Sequence, residues 1–386
     1  MSKRWWAIVV LGCIGGVLLA FAIRPWFIAI NVSALVSPPG VSQINVPPGF
    51  VTNLYARGLK GPRFIHFGPD GALYVAERGA DRIVALVDHN ADGIADSSRV
   101  FADQLDHPHS VVYHSGAWYV GVPSGVVRLV DRDGDGMAEQ REVLISNYPT
   151  SGHNTRTVEF LPDGRMVVSI GSSCNACLEN DPRRATVLVY DGPNAKGERI
   201  FAKGLRNAVG LAVHPSTGEL WATNNGRDWL GDDLPPEALY IVRDGLDYGW
   251  PRCHNGTLVD PEYGGPDACK GVVAPVINMQ AHSAPLGLVF YTGSVFPPEY
   301  RGDLFMAFHG SWNRSQPTGY KVVRLPLDGS TPRGPLEDFA TGWLDNVRQS
   351  VSGRPVGLAV GPDGALYVSD DKAGLIYRVS YSQQRL

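Results

Sequence analysis

The sequence predicts an all-β chain, a six-bladed β-propeller carried behind one N-terminal transmembrane helix. Three observations predict it. A turn followed by an apolar strand recurs six times between Gly68 and Asp370. Glycine and proline are abundant and no long amphipathic pattern accompanies them, so turns rather than helices punctuate the chain. One long apolar run is present, and it is confined to the start.

That run comes first. In "MSKRWWAIVVLGCIGGVLLAFAIRPW", Lys3 and Arg4 precede nineteen apolar or small residues, Trp5–Ile23, and Arg24 follows. This length spans a bilayer as a helix. The basic pair before it favours an N-in orientation, with the rest of the chain outside the cytoplasmic membrane. The expectation is a single-pass bacterial inner-membrane protein whose domain lies in the periplasm or outside the cell. A cleaved signal peptide is the rival, but no small-x-small site clearly follows the run. "VLGC" at Val10–Cys13 faintly matches a lipidation box, though the apolar stretch continues past Cys13. Residues 1–30 therefore read as an anchor or uncleaved signal, 31–47 as a linker and 48–382 as the propeller.

The repeat follows. "GPDGALYVAE" (Gly68–Glu77) returns as "GPDGALYVSD" (Gly361–Asp370). Looser copies begin at His114, Leu161, His214 and Tyr300. Units at a period of roughly 45–60 residues, with one longer gap, read as propeller blades. The likeness of the first and last units fits ring closure, which would make them neighbours. The extra length after the fourth unit reads as a loop excursion on one face. A pair of β-sandwiches is the rival architecture.

Two acidic loops interrupt the strands. "DRDGDGMAEQRE" fits the alternating pattern of a Ca²⁺ loop through Asp131, Asp133, Asp135, Gly136 and Glu142. "DHNADGIAD" offers Asp88, Asn90, Asp92 and Asp96 but has Arg99 at the twelfth place. Both are candidates for structural Ca²⁺; the plain alternative is a hairpin turn rich in Asp, Asn and Gly.

Four cysteines lie beyond the apolar run: Cys174 and Cys177 as C-x-x-C, and Cys253 and Cys269 around a Gly/Pro-rich loop. In an oxidising compartment this even count suggests two disulfides. A redox dithiol would sit by a βαβ unit, which is absent, and the second pair is spaced too widely for the usual zinc site. The formal net charge is −4 with no basic block, which excludes nucleic acid as a partner.

Propeller loops carry chemistry on a rigid scaffold. His109, His153, Arg206, Asn207 and Arg354 all stand just before repeat strands. Together the stretches "SGHNTRTVEFLPDGRMVVSIG", "GLRNAVGLAVHPSTGELWATNNGRDWLGDDLPPE", "YGWP", "AHSAPLGLVFYTG", "FHGSWNR" and "GRPVGLAVGPDGALYVSDD" resemble the soluble glucose/sorbosone dehydrogenase family. The likeness is greatest to its L-sorbosone-dehydrogenase-like branch and covers about residues 48–380.

The resemblance implies a six-bladed propeller that oxidises an aldose or sorbosone-type sugar with pyrroloquinoline quinone (PQQ) and Ca²⁺. It implies His153 as general base and Arg206 and Asn207 as the pair meeting the quinone. Backbone carbonyls of Gly226 and Arg227 would hold the cofactor's Ca²⁺, and Arg354 would meet a cofactor carboxylate. The chain departs from the pattern in three places. Val356 stands where a second arginine is usual. "HGSWNR" replaces the cofactor-facing lysine, so that His309, Trp312 or Arg314 substitutes for it. The sugar-holding glutamine is absent, with His109 near its place. A membrane-bound quinone or cytochrome would be the electron acceptor.

The residue types suit that chemistry. Guanidinium groups pair bidentately with carboxylates, Ca²⁺ polarises a quinone oxygen, and a neutral imidazole takes a hydroxyl proton as hydride leaves. Arg206 would stabilise the charge that develops on the ring. The base is expected to titrate near the ordinary imidazole value of about 6.5, shifted by metal and arginines. Asn154 and Arg156 are polar enough to line the same channel, and Asp232 and Asp233 are expected to bond nearby backbone amides. Two other classes compete: a Ca²⁺-dependent lactonase-type hydrolase using Glu77, Asn207, Asn224 and Asp370, and a non-catalytic propeller that binds a protein or glycan.

Overall fold

The structure, a computed structural model, describes residues 43–382. The apolar run Trp5–Ile23 lies outside them. Among the described residues no helix is long and apolar enough to cross a membrane.

Six four-stranded antiparallel sheets form a six-bladed β-propeller. The recurring strings supply the second strand of each blade: Leu73–Glu77, Ala117–Val122, Met166–Ile170, Leu220–Asn224, Leu304–Phe308 and Leu366–Asp370. Every residue of these strands is buried. Neighbouring blades cover both faces, so these strands read as nearly continuous apolar runs rather than alternating ones. The inner strands are Pro62–Phe67, Ser110–His114, Val158–Phe160, Leu211–Val213, Pro285–Phe290 and Pro355–Val360. They pack against one another round the central channel.

The ring closes by exchange of chain ends. Phe50–Arg57 is the outer strand of the sixth blade and pairs with Leu375–Tyr381, from Phe50 opposite Tyr381 to Arg57 opposite Leu375. Closure removes the exposed edge that an open array would present. It also makes the first and last blades neighbours, as their sequences suggest.

The core lies between the blades. Trp118 packs on Tyr74 and Phe101 of the preceding blade. Hydroxyls tie neighbouring blades across the same gaps: Ser110 Oγ donates to Arg156 O (2.9 Å), Thr223 Oγ1 to Leu286 O (2.7 Å) and Ser369 Oγ to Arg63 O (2.6 Å).

Antiparallel order sorts the loops onto two faces. Loops from second to third strands, and from each fourth strand to the next blade, share one face. All the histidine and arginine candidates lie there. Both acidic loops join third to fourth strands and so lie on the opposite face. The excursion holding Cys253 and Cys269 also leaves from that opposite face, between Glu237–Val242 and Ile277–Met279. It does not stay there; it runs past the outer strand of the third blade, with Tyr248 N–H donating to Lys203 O (2.9 Å), and delivers Asp260 to Arg227 on the candidate face. Both expected disulfides, Cys174–Cys177 and Cys253–Cys269, are formed.

Candidate active site

His153 is held from two sides. Its Nδ1 lies 2.9 Å from Ser172 Oγ and 3.1 Å from Ser172 O. Ser172 Oγ spends its own proton on Cys174 O (2.7 Å). Both atoms facing Nδ1 are therefore acceptors, so the neutral ring carries its proton on Nδ1 and leaves the Nε2 lone pair free. Arg156, fully buried, donates to His153 O (3.0 Å), Thr155 O (2.8 Å) and Pro149 O (2.6 Å). It anchors the loop and does not present a free guanidinium to the channel. Asn154 accepts from Arg78 Nη2 at 3.3 Å.

Burial first, then the charge of Arg206, push the His153 imidazole down to about 4. This is well below the ordinary value expected from sequence, because a cation in a desolvated loop cluster beside arginines is disfavoured. The ring is neutral at pH 7.

His153 and Asn207 meet across Gly171. A Cβ added at Gly171 would lie 2.5 Å from His153 Cβ and 2.8 Å from Asn207 Oδ1. Only a residue without a side chain lets the second and third blades' loops bring these groups so close. Asn207 is placed in turn by Asn224, whose Oδ1 accepts its backbone N–H (3.0 Å).

Arg206 is 4 % exposed and its nitrogens are occupied. Nε donates to Asn175 O (2.9 Å), Nη1 to Asn225 O (3.4 Å), and Nη2 to Asn175 Oδ1 and Asp228 Oδ2 (2.9 Å each). Arg206 thus knits two loops together as well as lending positive charge to the site. Sequence reasoning missed both Asn175 and Asp228; their only signals were the C-x-x-C ring and "NNGRDW".

Gly226 and Arg227 follow Asn225. Gly226 N–H donates to Glu237 Oε2 (2.6 Å), and Asn225 N–H to Asn207 O (3.0 Å). Asn225 Oδ1 is a buried acceptor with no partner. The Arg227 guanidinium turns away to Asp260 (2.6 Å), which His254 Nε2 also contacts (2.8 Å). Burial opposes ionisation of Asp260, yet Arg227 and His254 hold its carboxyl down to about 2.

On the far side of the channel, Arg354 donates from Nε to His309 O (3.1 Å) and from Nη2 to Gly310 O (3.0 Å). His309 Nε2 contacts Asp371 Oδ1 (3.0 Å), and Arg63 pairs with the same carboxylate (2.5 Å). His109 is fully buried; its Nδ1 accepts from Arg63 Nε (3.3 Å), and its Nε2 has no partner. Val356 is fully buried among Val209 and Leu286, where the fold uses an apolar side chain.

Arg314 does not offer a free cation in place of the expected lysine. It donates to Asp232 O and to Asp233 Oδ1 (3.0 Å), while Ser315 N–H donates to Asp232 Oδ1 (3.0 Å). These contacts fasten the loops of the fourth and fifth blades together. Trp312, 37 % exposed, packs edge-to-face on Trp229 at 4.8 Å between ring centroids.

The carboxylates mustered for a hydrolase are taken up by backbone amides of incoming loops. Glu77 accepts from Lys60 N–H (2.6 Å), and Asp370 accepts from Arg354 N–H (2.8 Å). With Asn224, they form one repeated device, in which the last residue of a second strand caps an incoming loop. On the opposite face Asp131, Asp133 and Asp135 cluster with Glu139, not Glu142. Glu142 lies on the outer strand and pairs with Arg128 (2.7 Å), because the strand begins before the twelfth loop position is reached. In the first acidic loop, Asp88, Asn90, Asp92 and Asp96 are spent on local bonds, such as Gly93 N–H to Asp88 Oδ2 (2.8 Å) and His89 N–H to Asp96 Oδ2 (2.7 Å).

The family model described as "Domain of unknown function (DUF7133)" matches residues 39–310, and one described as "TrAA12-like" matches residues 259–382. An uncharacterised protein of Borreliella burgdorferi is 28 % identical over 89 % of this chain and 92 % of its own length. A pyrroloquinoline quinone-dependent pyranose dehydrogenase of Coprinopsis cinerea is 28 % identical over 89 % of this chain. The chain spans 56 % of the length of that relative. The solved holo form of a pyranose dehydrogenase PQQ domain from Coprinopsis cinerea superposes with a TM-score of 0.78 at 25 % identity, covering 90 % of this chain and 99 % of that one.

Proposed function

We propose that this chain, which belongs to the family described as a domain of unknown function, DUF7133, is a PQQ-dependent sugar dehydrogenase that oxidises an aldose or sorbosone-type pyranose with His153 as its base. The observation that carries this reading is the fixed tautomer of His153, which leaves Nε2 its lone pair on a residue that approaches Asn207 across Gly171, on a face rich in arginine.

The residues present suit the cofactor. Asn225 Oδ1 is an orphaned buried acceptor next to Gly226, which fits a cation held by backbone carbonyls. Arg354 and Arg206 set positive charge on either side of the channel and suit a carboxylate-bearing ligand. Gly226 and Arg227 would hold Ca²⁺ through their carbonyls, Asn207 and Arg206 would face the quinone, and Arg354 with Trp312 would border it. PQQ, when bound, supplies the two-electron oxidant for an alcohol carbon.

The chain's own residues do the rest. His153 Nε2 receives the proton of the sugar hydroxyl, and Nδ1–H to Ser172 keeps the ring turned for this. Arg206 lends positive charge where negative charge develops. The apolar run Trp5–Ile23 anchors the domain outside the cytoplasmic membrane, facing a membrane-bound acceptor. The Asp131 loop, on the opposite face, takes a structural Ca²⁺ with no part in turnover.

Purified chain mixed with PQQ and Ca²⁺ should develop a bound-quinone absorption band, and an aldose should bleach it. A chain that takes up no quinone sinks the proposal.

A further inference from the structure

The Cys174–Cys177 ring has an occupant that the reading above does not use. Asn175 sits inside it, and its amide grips Asp228 from both sides. Asn175 Oδ1 accepts from Asp228 N–H (2.7 Å) and Nδ2 donates to Asp228 O (3.0 Å). The same Oδ1 accepts from Arg206 Nη2 (2.9 Å). The Asn175 carbonyl accepts from Arg206 Nε (2.9 Å) and Trp250 Nε1 (3.3 Å).

The bond from Asp228 N–H has a consequence one atom away. That N–H belongs to the same peptide unit as the Arg227 carbonyl. A trans peptide is planar, with its N–H and C=O pointing in opposite directions. The cis bonds of the described chain are Leu234–Pro235 and Trp250–Pro251, so the Arg227–Asp228 unit is trans. Holding Asp228 N–H on Asn175 therefore aims the Arg227 carbonyl away from the disulfide ring. No backbone ladder does this, because residues 225–236 form the irregular connection between Leu220–Asn224 and Glu237–Val242.

We propose that Asn175 is a positioning residue that sets the direction of the Arg227 carbonyl and so the site's grip on Ca²⁺. The small Cys174–Cys177 ring holds Asn175 in place for this. The proposal rests on the reading that Gly226 and Arg227 hold the cofactor's metal.

The test uses the full chain and follows PQQ uptake by absorbance as Ca²⁺ is titrated. In Asn175→Ala the half-saturating Ca²⁺ concentration should rise about tenfold to a hundredfold, the usual cost of removing a buried hydrogen-bond partner. Asn175→Asp keeps the acceptor oxygen for Asp228 N–H and Arg206 but loses the Nδ2 donor to Asp228 O, so it should lose clearly less than the Ala variant, about threefold to tenfold. This difference between two variants of the same site is not expected of a side chain that only stabilises the fold. Ala176→Ser, in the same ring, should change nothing. An unchanged Ca²⁺ requirement in Asn175→Ala overturns the role, and so does an equal loss in the Asp variant. If Asn175→Ala does not fold, the Asp variant and Asn175→Gln, whose amide is displaced by one methylene, decide the matter in the same titration. Failure of the unmutated chain to take up PQQ at any Ca²⁺ level is a separate result; it removes the functional reading and this role with it.

Discussion

His153 Nδ1 lies 2.9 Å from Ser172 Oγ, a hydroxyl whose proton is already committed to Cys174 O. One serine thus fixes the tautomer of a histidine that has no carboxylate partner. Ser172→Ala should lower turnover about three- to tenfold, since the Ser172 carbonyl still accepts from Nδ1 and one hydrogen bond of ordinary strength is lost. Steady-state kinetics with any accepted sugar check this. A loss of a thousandfold would mean that the serine takes part in the reaction itself.

Burial and Arg206 hold His153 down to about 4, so kcat/KM should rise through that region and be flat from about pH 6 upward. The folded state resists the proton that the unfolded chain accepts near 6.5, so the contribution of His153 is complete above pH 6.5 and is lost as pH falls towards 4. His153→Gln should therefore gain in Tm relative to the unmutated chain between pH 7 and pH 4.5. A rate profile with half-maximal activity near 6.5 would place the titrating group elsewhere.

Gly171→Ala should separate His153 from Asn207, because its Cβ would meet both within 2.8 Å. Overpacking of this kind costs about 1–3 kcal/mol of stability, and turnover should fall at least tenfold. Gly265→Ala, where a Cβ meets nothing within 4 Å, is the matched control and should behave as the unmutated chain. Equal behaviour of the two variants would show that the His153–Asn207 approach does not matter.

On the opposite face, Ca²⁺ should raise the Tm of the unmutated chain through Asp131, Asp133, Asp135 and Glu139. Glu139→Gln should reduce that shift and Glu142→Gln should leave it intact, with turnover unaffected in both. A shift that depends on Glu142 would contradict the observed register of the outer strand.

The blades were legible because their second strands are fully buried, and burial on both faces forces the same apolar string to recur. Cys174–Cys177 was legible as a ring from the even cysteine count expected of an oxidising compartment and the lack of a βαβ unit beside it. The partners of the site were not, because each comes from a different loop. Asp228 meets Arg206 from the next connection of the neighbouring strand pair, and Asp260 reaches Arg227 from an excursion that begins on the other face. Such pairings depend on the path of loops, which no period encodes. Arg314 reads as a free cation in "HGSWNR" only until Asp232 and Asp233 are brought beside it. Glu142 fits a twelve-residue pattern on paper, but the strand starts too early for it to reach the loop.

His153→Gln tests the central claim most directly, with PQQ and Ca²⁺ affinity and turnover measured on the same preparation. Cofactor grip is assigned to Arg206, Asn207, Gly226, Arg227 and Arg354, so uptake should be unchanged within about threefold. Turnover should fall by about 10²–10⁴, the range for losing a positioned acid–base group. Turnover within about threefold of the unmutated chain, with cofactor still bound, would contradict the account and move the proton to another group, with His309 beside Asp371 the next to examine.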